Sequence, residues 1–129
     1  MGKHFTLKEL TASSVAKKNG ISNIPNKSEE ENLVNLIDNI LDPLREAYGN
    51  PIIINSGFRC KELNLLVKGS ETSQHMKGLA ADIRTKLNTK KENKKLFDLA
   101  IQLNLPFDQL IDEKNFSWVH ISYSENPRK

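Results

Sequence analysis

SQHMKGLAADI, residues 73–83, and SWVHISY, residues 117–123, are the stretches on which the fold of this chain turns. In the first, His75 is followed by Gly78, Leu79, Ala80 and Ala81 before Asp82, so that a loop carrying the histidine runs into a short strand carrying the carboxylate. Small residues let a backbone pass close to a bound group. Alternation along that strand puts Leu79, Ala81 and Ile83 on one face and Ala80 and Asp82 on the other. In the second stretch Val119, Ile121 and Tyr123 share a face, and Trp118, His120 and Ser122 take the opposite one. Together they predict a small, mainly antiparallel sheet with His120 looking out from its surface beside Trp118.

Two imidazoles and one carboxylate form a borderline-soft donor set suited to zinc, with the fourth tetrahedral position left to solvent. A structural zinc is usually caged by several thiolates, and this chain has one cysteine, Cys60. A zinc ribbon or finger is therefore excluded. Taken singly, a histidine in a strand is more often a hydrogen-bonded structural residue, and an aspartate after a small-residue run is often a turn or cap. Taken together, His75, Asp82 and His120 read as the ligands of one mononuclear zinc ion with an open position, a site that can turn water into a nucleophile near neutral pH.

Outward from these stretches, helices come first and the sheet later. Phe5, Thr6, Glu9 and Leu10 read as a hydrophobic staple around a capping box. Ser28 and Glu31 suggest a second box, leading into Leu33, Leu36, Ile37, Ile40, Leu41, Leu44 and Tyr48 at helical spacing, with Gly49 as the stop. Pro43 should kink or divide that helix. Ile52 to Ile54 read as a short buried strand. A Lys-rich helix over roughly 89–103 would turn Leu96, Phe97, Ala100 and Leu103 inward, and two strands after Pro106 form a hairpin that turns near Lys114 to Phe116. The class expected is α+β, N-terminal helices packed on a small sheet, in a single domain spanning 1–129.

Composition agrees with a compact enzyme. A length of 129 residues suits one core, and no apolar run is long enough to cross a bilayer. The start MGKHFTLKEL lacks the apolar region of a signal peptide, which predicts synthesis in the cytoplasm and export or release by another route. The net charge of +3 suits a partner bearing carboxylates. A nucleic acid is not expected, because the lysines bunch around Lys86 to Lys95 on a solvated helix without the interleaved aromatics of single-strand binders. Cys60 reads as a small packed thiol.

The run SGFRCKELNLLVKGSETSQHMKGLAADI, followed by FDQLIDE and WVHIS, resembles the M15 family of zinc peptidases, which includes D-alanyl-D-alanine carboxypeptidases and phage peptidoglycan peptidases. It is most similar to the short, phage-type members. Ser73, His75, Gly78, Ala80 and Asp82 match the family motif S-x-H-x-x-G-x-A-x-D, and His120 supplies the late histidine. The resemblance implies one zinc ion held by His75, Asp82 and His120, peptidoglycan peptides as substrate, action at the cell wall, and a monomer. It also implies a role for Arg59, in the S-G-x-R segment Ser56–Arg59, in binding or polarising substrate. A guanidinium suits either job, gripping a carboxylate in a fork or stabilising an oxyanion. Its bland alternative is a surface ion pair. Ser73 and Gln74 would orient the metal loop or contact substrate, and Trp118 would line the groove or cover the core edge.

The general base departs from the best-known pattern. Several members carry an acidic residue three positions before the last histidine, where this chain has Ser117. Other members, and the related hedgehog signalling domains, place a glutamate at the end of the preceding strand, which points to Glu113, with Asp112 second. The activity implied is zinc-dependent hydrolysis of stem peptides or cross-links by a carboxypeptidase or an endopeptidase. The alternative is a non-catalytic, zinc-stabilised peptidoglycan-binding module.

Overall fold

A computed structural model describes residues 4–124; residues 1–3 and 125–129, included in the expected 1–129 domain, lie outside the described residues. Short helices α1 (Leu7–Thr11) and α2 (Ser14–Lys18) come first. Thr6 caps α1 by accepting from the Glu9 N–H at 3.2 Å, and Phe5 and Leu10 beside that cap are both buried, as the staple predicts.

Helix α3 (Lys27–Leu36) begins two residues earlier than the Ser28–Glu31 box predicts. Asn26 Oδ1 accepts from the Glu29 N–H and Glu29 Oε1 accepts from the Asn26 N–H, both at 2.8 Å. Asparagine caps as well as serine, so the earlier start gains helical hydrogen bonds at no loss of capping, and Pro25 biases the residue before it away from helix. The helical run is divided just before Pro43, though it does not end there. A π-helical stretch, Ile37–Leu41, carries α3 into α4 (Asp42–Tyr48), which has Pro43 in its first turn where a missing N–H matters least. Gly49, at φ +79°, is the expected stop.

Four antiparallel strands, β1 (Ile52–Ser56), β2 (Ala80–Thr85), β3 (Phe107–Glu113) and β4 (Trp118–Tyr123), lie in the order β1-β2-β4-β3. The class is α+β, as expected. Strand β1 is longer and less covered than expected: it lies at a sheet edge, and of its isoleucines Ile52 is buried while Ile53 and Ile54 are half-buried. Helix α5 (Lys61–Leu66) and a 3-10 turn (Gln74–Lys77) intervene before β2. Helix α6 (Lys90–Gln102) runs where predicted, with Thr89 as its cap. Leu96 and Ala100 are fully buried, but Leu103 is 41% exposed and Asn93 takes an inward position instead. Leu103 is the C-cap, past the last helical turn, so it leaves the buried stripe.

The apolar alternation holds. Ala81 and Ile83 of β2 and Val119 and Ile121 of β4 join Leu33, Leu36, Ile40, Leu44 and Leu96 in one core between the helices and one sheet face. At its margin the Tyr48 hydroxyl donates to Glu92 Oε1 at 2.7 Å. Burial and that carboxylate push the tyrosine up to about 12. The unfolded chain releases this proton near its ordinary value of about 10. The bond's contribution to stability is therefore complete below pH ~10 and fades as the pH rises to about 12. Urea midpoints compared at pH 9 and 11.5 should fall more for the native protein than for Tyr48→Phe; equal falls would sink the assignment. Among the described residues no helix is long and apolar enough to cross a membrane.

Candidate metal centre and cavity

The open sheet face carries the site. Asp82 on β2 and His120 on β4 are direct cross-strand partners, so the antiparallel register alone brings residues 38 apart in sequence side by side. Both point away from the core, on the faces the alternation predicts. His75 reaches them from the 3-10 turn, where Ser73 Oγ accepts from the His75 N–H at 3.2 Å and Gly78, at φ +75°, closes the turn. A β-carbon at residue 78 would overlap the Glu29 carbonyl of α3, so glycine is required there for space as well as conformation.

The geometry fixes the His75 tautomer. Its Nδ1 lies 2.7 Å from the Gly57 carbonyl, which can only accept, so Nδ1 bears the hydrogen. The lone pair on Nε2 then faces Asp82 Oδ1 at 3.3 Å. Two acceptors held this way call for a cation between them, a proton or a metal. His120 Nδ1 meets the same Oδ1 at 3.0 Å, and the three ligand atoms lie within 4.8 Å of one another. Donors about 2.0–2.1 Å from a tetrahedral zinc stand roughly 3.3 Å apart, so the 3.3 Å and 3.0 Å separations of the two rings from Asp82 Oδ1 suit that ion, as does the chemistry of the donors. Burial by itself would push the Asp82 carboxyl up, but with protons on the two rings the hydrogen bonds and charge of His120 and His75 outweigh it and hold the group well below the usual carboxylate range.

Arg59 sits on a loop fastened on three sides. The Phe58 N–H donates to the Leu10 carbonyl at 2.7 Å, and the Arg59 N–H donates to the His75 carbonyl at 3.0 Å. The Asn23 amide donates to the Phe58 carbonyl and accepts from the Cys60 N–H, each at 2.8 Å. Arg59 Nη2 donates to Ser73 Oγ at 3.2 Å, so Ser73 touches both the arginine and the metal turn. Burial pulls the guanidinium pKa down, with the Asp82 charge opposing, and Arg59 remains a fixed cation. Among the described residues it forms no ion pair, and it is half-buried at the cavity wall. Cys60 is half-buried and packs against the core, as a small thiol would.

One cavity of about 570 Å³ collects these groups: His75, Asp82 and His120, then Arg59, Ser73, Gln74, Glu113 and Trp118. Glu113 ends β3 opposite Trp118. Asp112 is not brought to the cavity. It faces the other side of the strand, exposed, and its carboxylate accepts from the Phe116 N–H at 2.6 Å. Ser117 is spent in the turn, donating to the Lys114 carbonyl at 2.8 Å. Gln74 donates to Asp108 Oδ2 at 2.9 Å. Lys114 Nζ stands 5.5 Å from the Trp118 ring centre. Sequence reasoning missed Ser70, Thr72, Gln109 and Ile111 in the same lining. Gln109 and Ile111 were findable, since they stand four and two residues before Glu113 on one strand face. Ser70 and Thr72 lie in irregular chain, with no period to betray them.

The family model described as Peptidase M15 matches residues 3–122. No curated protein matches the chain.

Proposed function

The chain belongs to the M15 peptidase family, and from that premise we propose that it is a zinc-dependent peptidase of the cell wall, hydrolysing peptidoglycan stem peptides or cross-links as a monomeric, phage-type single domain of residues 1–129. The observation that carries this reading is the convergence of His75 Nε2, Asp82 Oδ1 and His120 Nδ1 in a cavity that also holds Arg59 and Glu113.

Zinc bound by His75, Asp82 and His120 would supply Lewis acidity, polarising a carbonyl and lowering the pKa of water to about 7. The protein's own groups do the rest. Gly57 fixes the ring of His75 through Nδ1, leaving Nε2 as the ligand atom. Glu113 takes the proton from the attacking water and returns it to the leaving amine. Arg59, steadied by Ser73, offers a fixed positive charge to the oxyanion that develops, or to a substrate carboxylate. Ser73, Gln74 and Trp118 contact the peptide from the same wall.

The test is digestion of purified peptidoglycan by zinc-loaded protein, with products weighed by mass spectrometry, beside His120→Ala. Release of a terminal amino acid identifies a carboxypeptidase, and release of cross-bridge fragments an endopeptidase. Either activity should vanish in His120→Ala together with bound zinc. A wild type that keeps stoichiometric zinc, binds peptidoglycan and releases nothing would leave the metal as scaffold for a binding module.

A further inference from the structure

Asn93 is fully buried on α6, an environment asparagine occupies when its amide is hydrogen-bonded. Its Oδ1 accepts from the backbone N–H and from the hydroxyl of Thr85, both at 2.8 Å. Its Nδ2 donates to the carbonyls of Phe116 at 2.8 Å and Ser117 at 3.2 Å, and to Asn88 Oδ1 at 3.1 Å. The amide cannot be flipped, because the Thr85 N–H only donates and the two carbonyls only accept. Thr85 ends β2, the strand of Asp82, and Phe116 and Ser117 lie in the turn that follows Glu113. A single side chain thus ties a ligand strand to the turn beside the base.

That turn is strained. Lys114, Asn115 and Phe116 have φ of +46°, +57° and +62°, three consecutive left-handed residues, none of them glycine. L-residues visit that region singly, and a run of three persists only where the surroundings impose it. Within the hairpin, the Ser117 N–H donates to the Glu113 carbonyl at 3.0 Å and Asp112 holds the Phe116 N–H. From outside it, α6 supplies the Asn93 bonds and the edge-on contact of Phe97 with Phe116, ring centres 5.5 Å apart.

We propose that Asn93 is a positioning residue for hydrolysis: by holding 114–117 in its left-handed turn, it fixes Glu113 at the cavity wall. The inference rests on the peptidase reading above. A base must stand within about 2.6–3.2 Å of the proton it takes, and a displacement of ~1 Å can lower a rate about 100-fold. Asn93 touches neither substrate nor metal, so its loss should act on turnover.

The experiment compares the zinc-loaded native protein with Asn93→Ala and with Asn93→Ala/Lys114→Gly/Asn115→Gly, whose glycines accept the left-handed backbone without steric cost. Readouts are kcat, KM and zinc affinity with a peptidoglycan-derived peptide, and hydrogen exchange of the Ser117 amide. In Asn93→Ala, kcat should fall about 30- to 100-fold, with KM and zinc affinity within about threefold, and the Ser117 amide should exchange about tenfold faster. The turn glycines should restore at least about a tenth of the native kcat. If Asn93→Ala does not fold, Asn93→Asp, which keeps an oxygen for Thr85, takes the same readouts. A kcat within threefold of native overturns the inference, as does a loss matched by loss of zinc and not restored by the glycines. In either case the native enzyme is active and the peptidase reading stands. An inactive native protein overturns that reading and this inference with it.

Discussion

Glu113→Gln is expected to lower kcat by about 10²- to 10⁴-fold, the range of a positioned general base, while zinc content is unchanged. The substitution keeps the size of the side chain and removes its ability to take a proton. Glu113 lines the cavity but is not among the three groups whose ligand atoms converge, so the metal should stay. The loss should fall on kcat and kcat/KM alike, the mark of an interaction made in the transition state. Asp112→Asn is the matched control. Its carboxylate serves the hairpin turn, and about a threefold change or less is expected if the turn survives on the weaker amide bond. Steady-state kinetics with metal analysis on the same samples decide the matter. A fully active Glu113→Gln would remove Glu113 as base, and a large loss only in Asp112→Asn would trace to the turn that its carboxylate holds.

Gly57→Ala is expected to destabilise the protein by roughly 3 kcal/mol, the upper end for single substitutions, and to weaken zinc binding about 10- to 100-fold. A β-carbon at residue 57 would overlap the Leu10 carbonyl oxygen and stand 2.9 Å from its carbon. The obstacle is backbone, fixed by its hydrogen bond from the Phe58 N–H, so no flexible side chain can move aside. Relief requires α1 or the Gly57 peptide to shift, and the Gly57 carbonyl is what orients His75. Gly20→Ala separates crowding from backbone conformation. Gly20 is left-handed at φ +66° with nothing within 4 Å of an added carbon, so only about 1 kcal/mol should be lost there, with zinc affinity intact. Chemical unfolding and zinc competition titrations measure both. A stable Gly57→Ala that binds zinc normally would show that α1 yields easily, contrary to the close approach seen here.

Much of this was legible in the sequence because the relevant periods are short. Alternation alone placed Asp82 and His120 opposite Ala81, Ile83, Val119 and Ile121, and the register of β2 and β4 then made them neighbours. The same alternation separates Glu113 from Asp112, although sequence reasoning held both as bases. Local competition obscured the rest. Asn26 and Ser28 are both capable caps, and only the packed helix chooses between them. The π-helical passage before Pro43 depends on where the buried leucines and isoleucines of α3 and α4 must face, which local propensity does not contain. The left-handed run at Lys114 to Phe116 has no glycine to announce it, because it is imposed by Asn93 and Phe97 from a helix 17 or more residues earlier in the chain.

The floor and the rim of the cavity come from different parts of the fold. Asp82 and His120 stand on the two central strands, whose reverse faces build the core. Ser70, Thr72, Gln109 and Ile111 belong to irregular chain and to the edge strand β3. Substitution at the rim disturbs few buried contacts, whereas substitution on the floor disturbs the core and the ligands together. On the function proposed above, exchange at the rim would alter which peptide is accepted while the floor stays unchanged, and a library confined to those four positions would sample selectivity with the least sacrifice of folded protein.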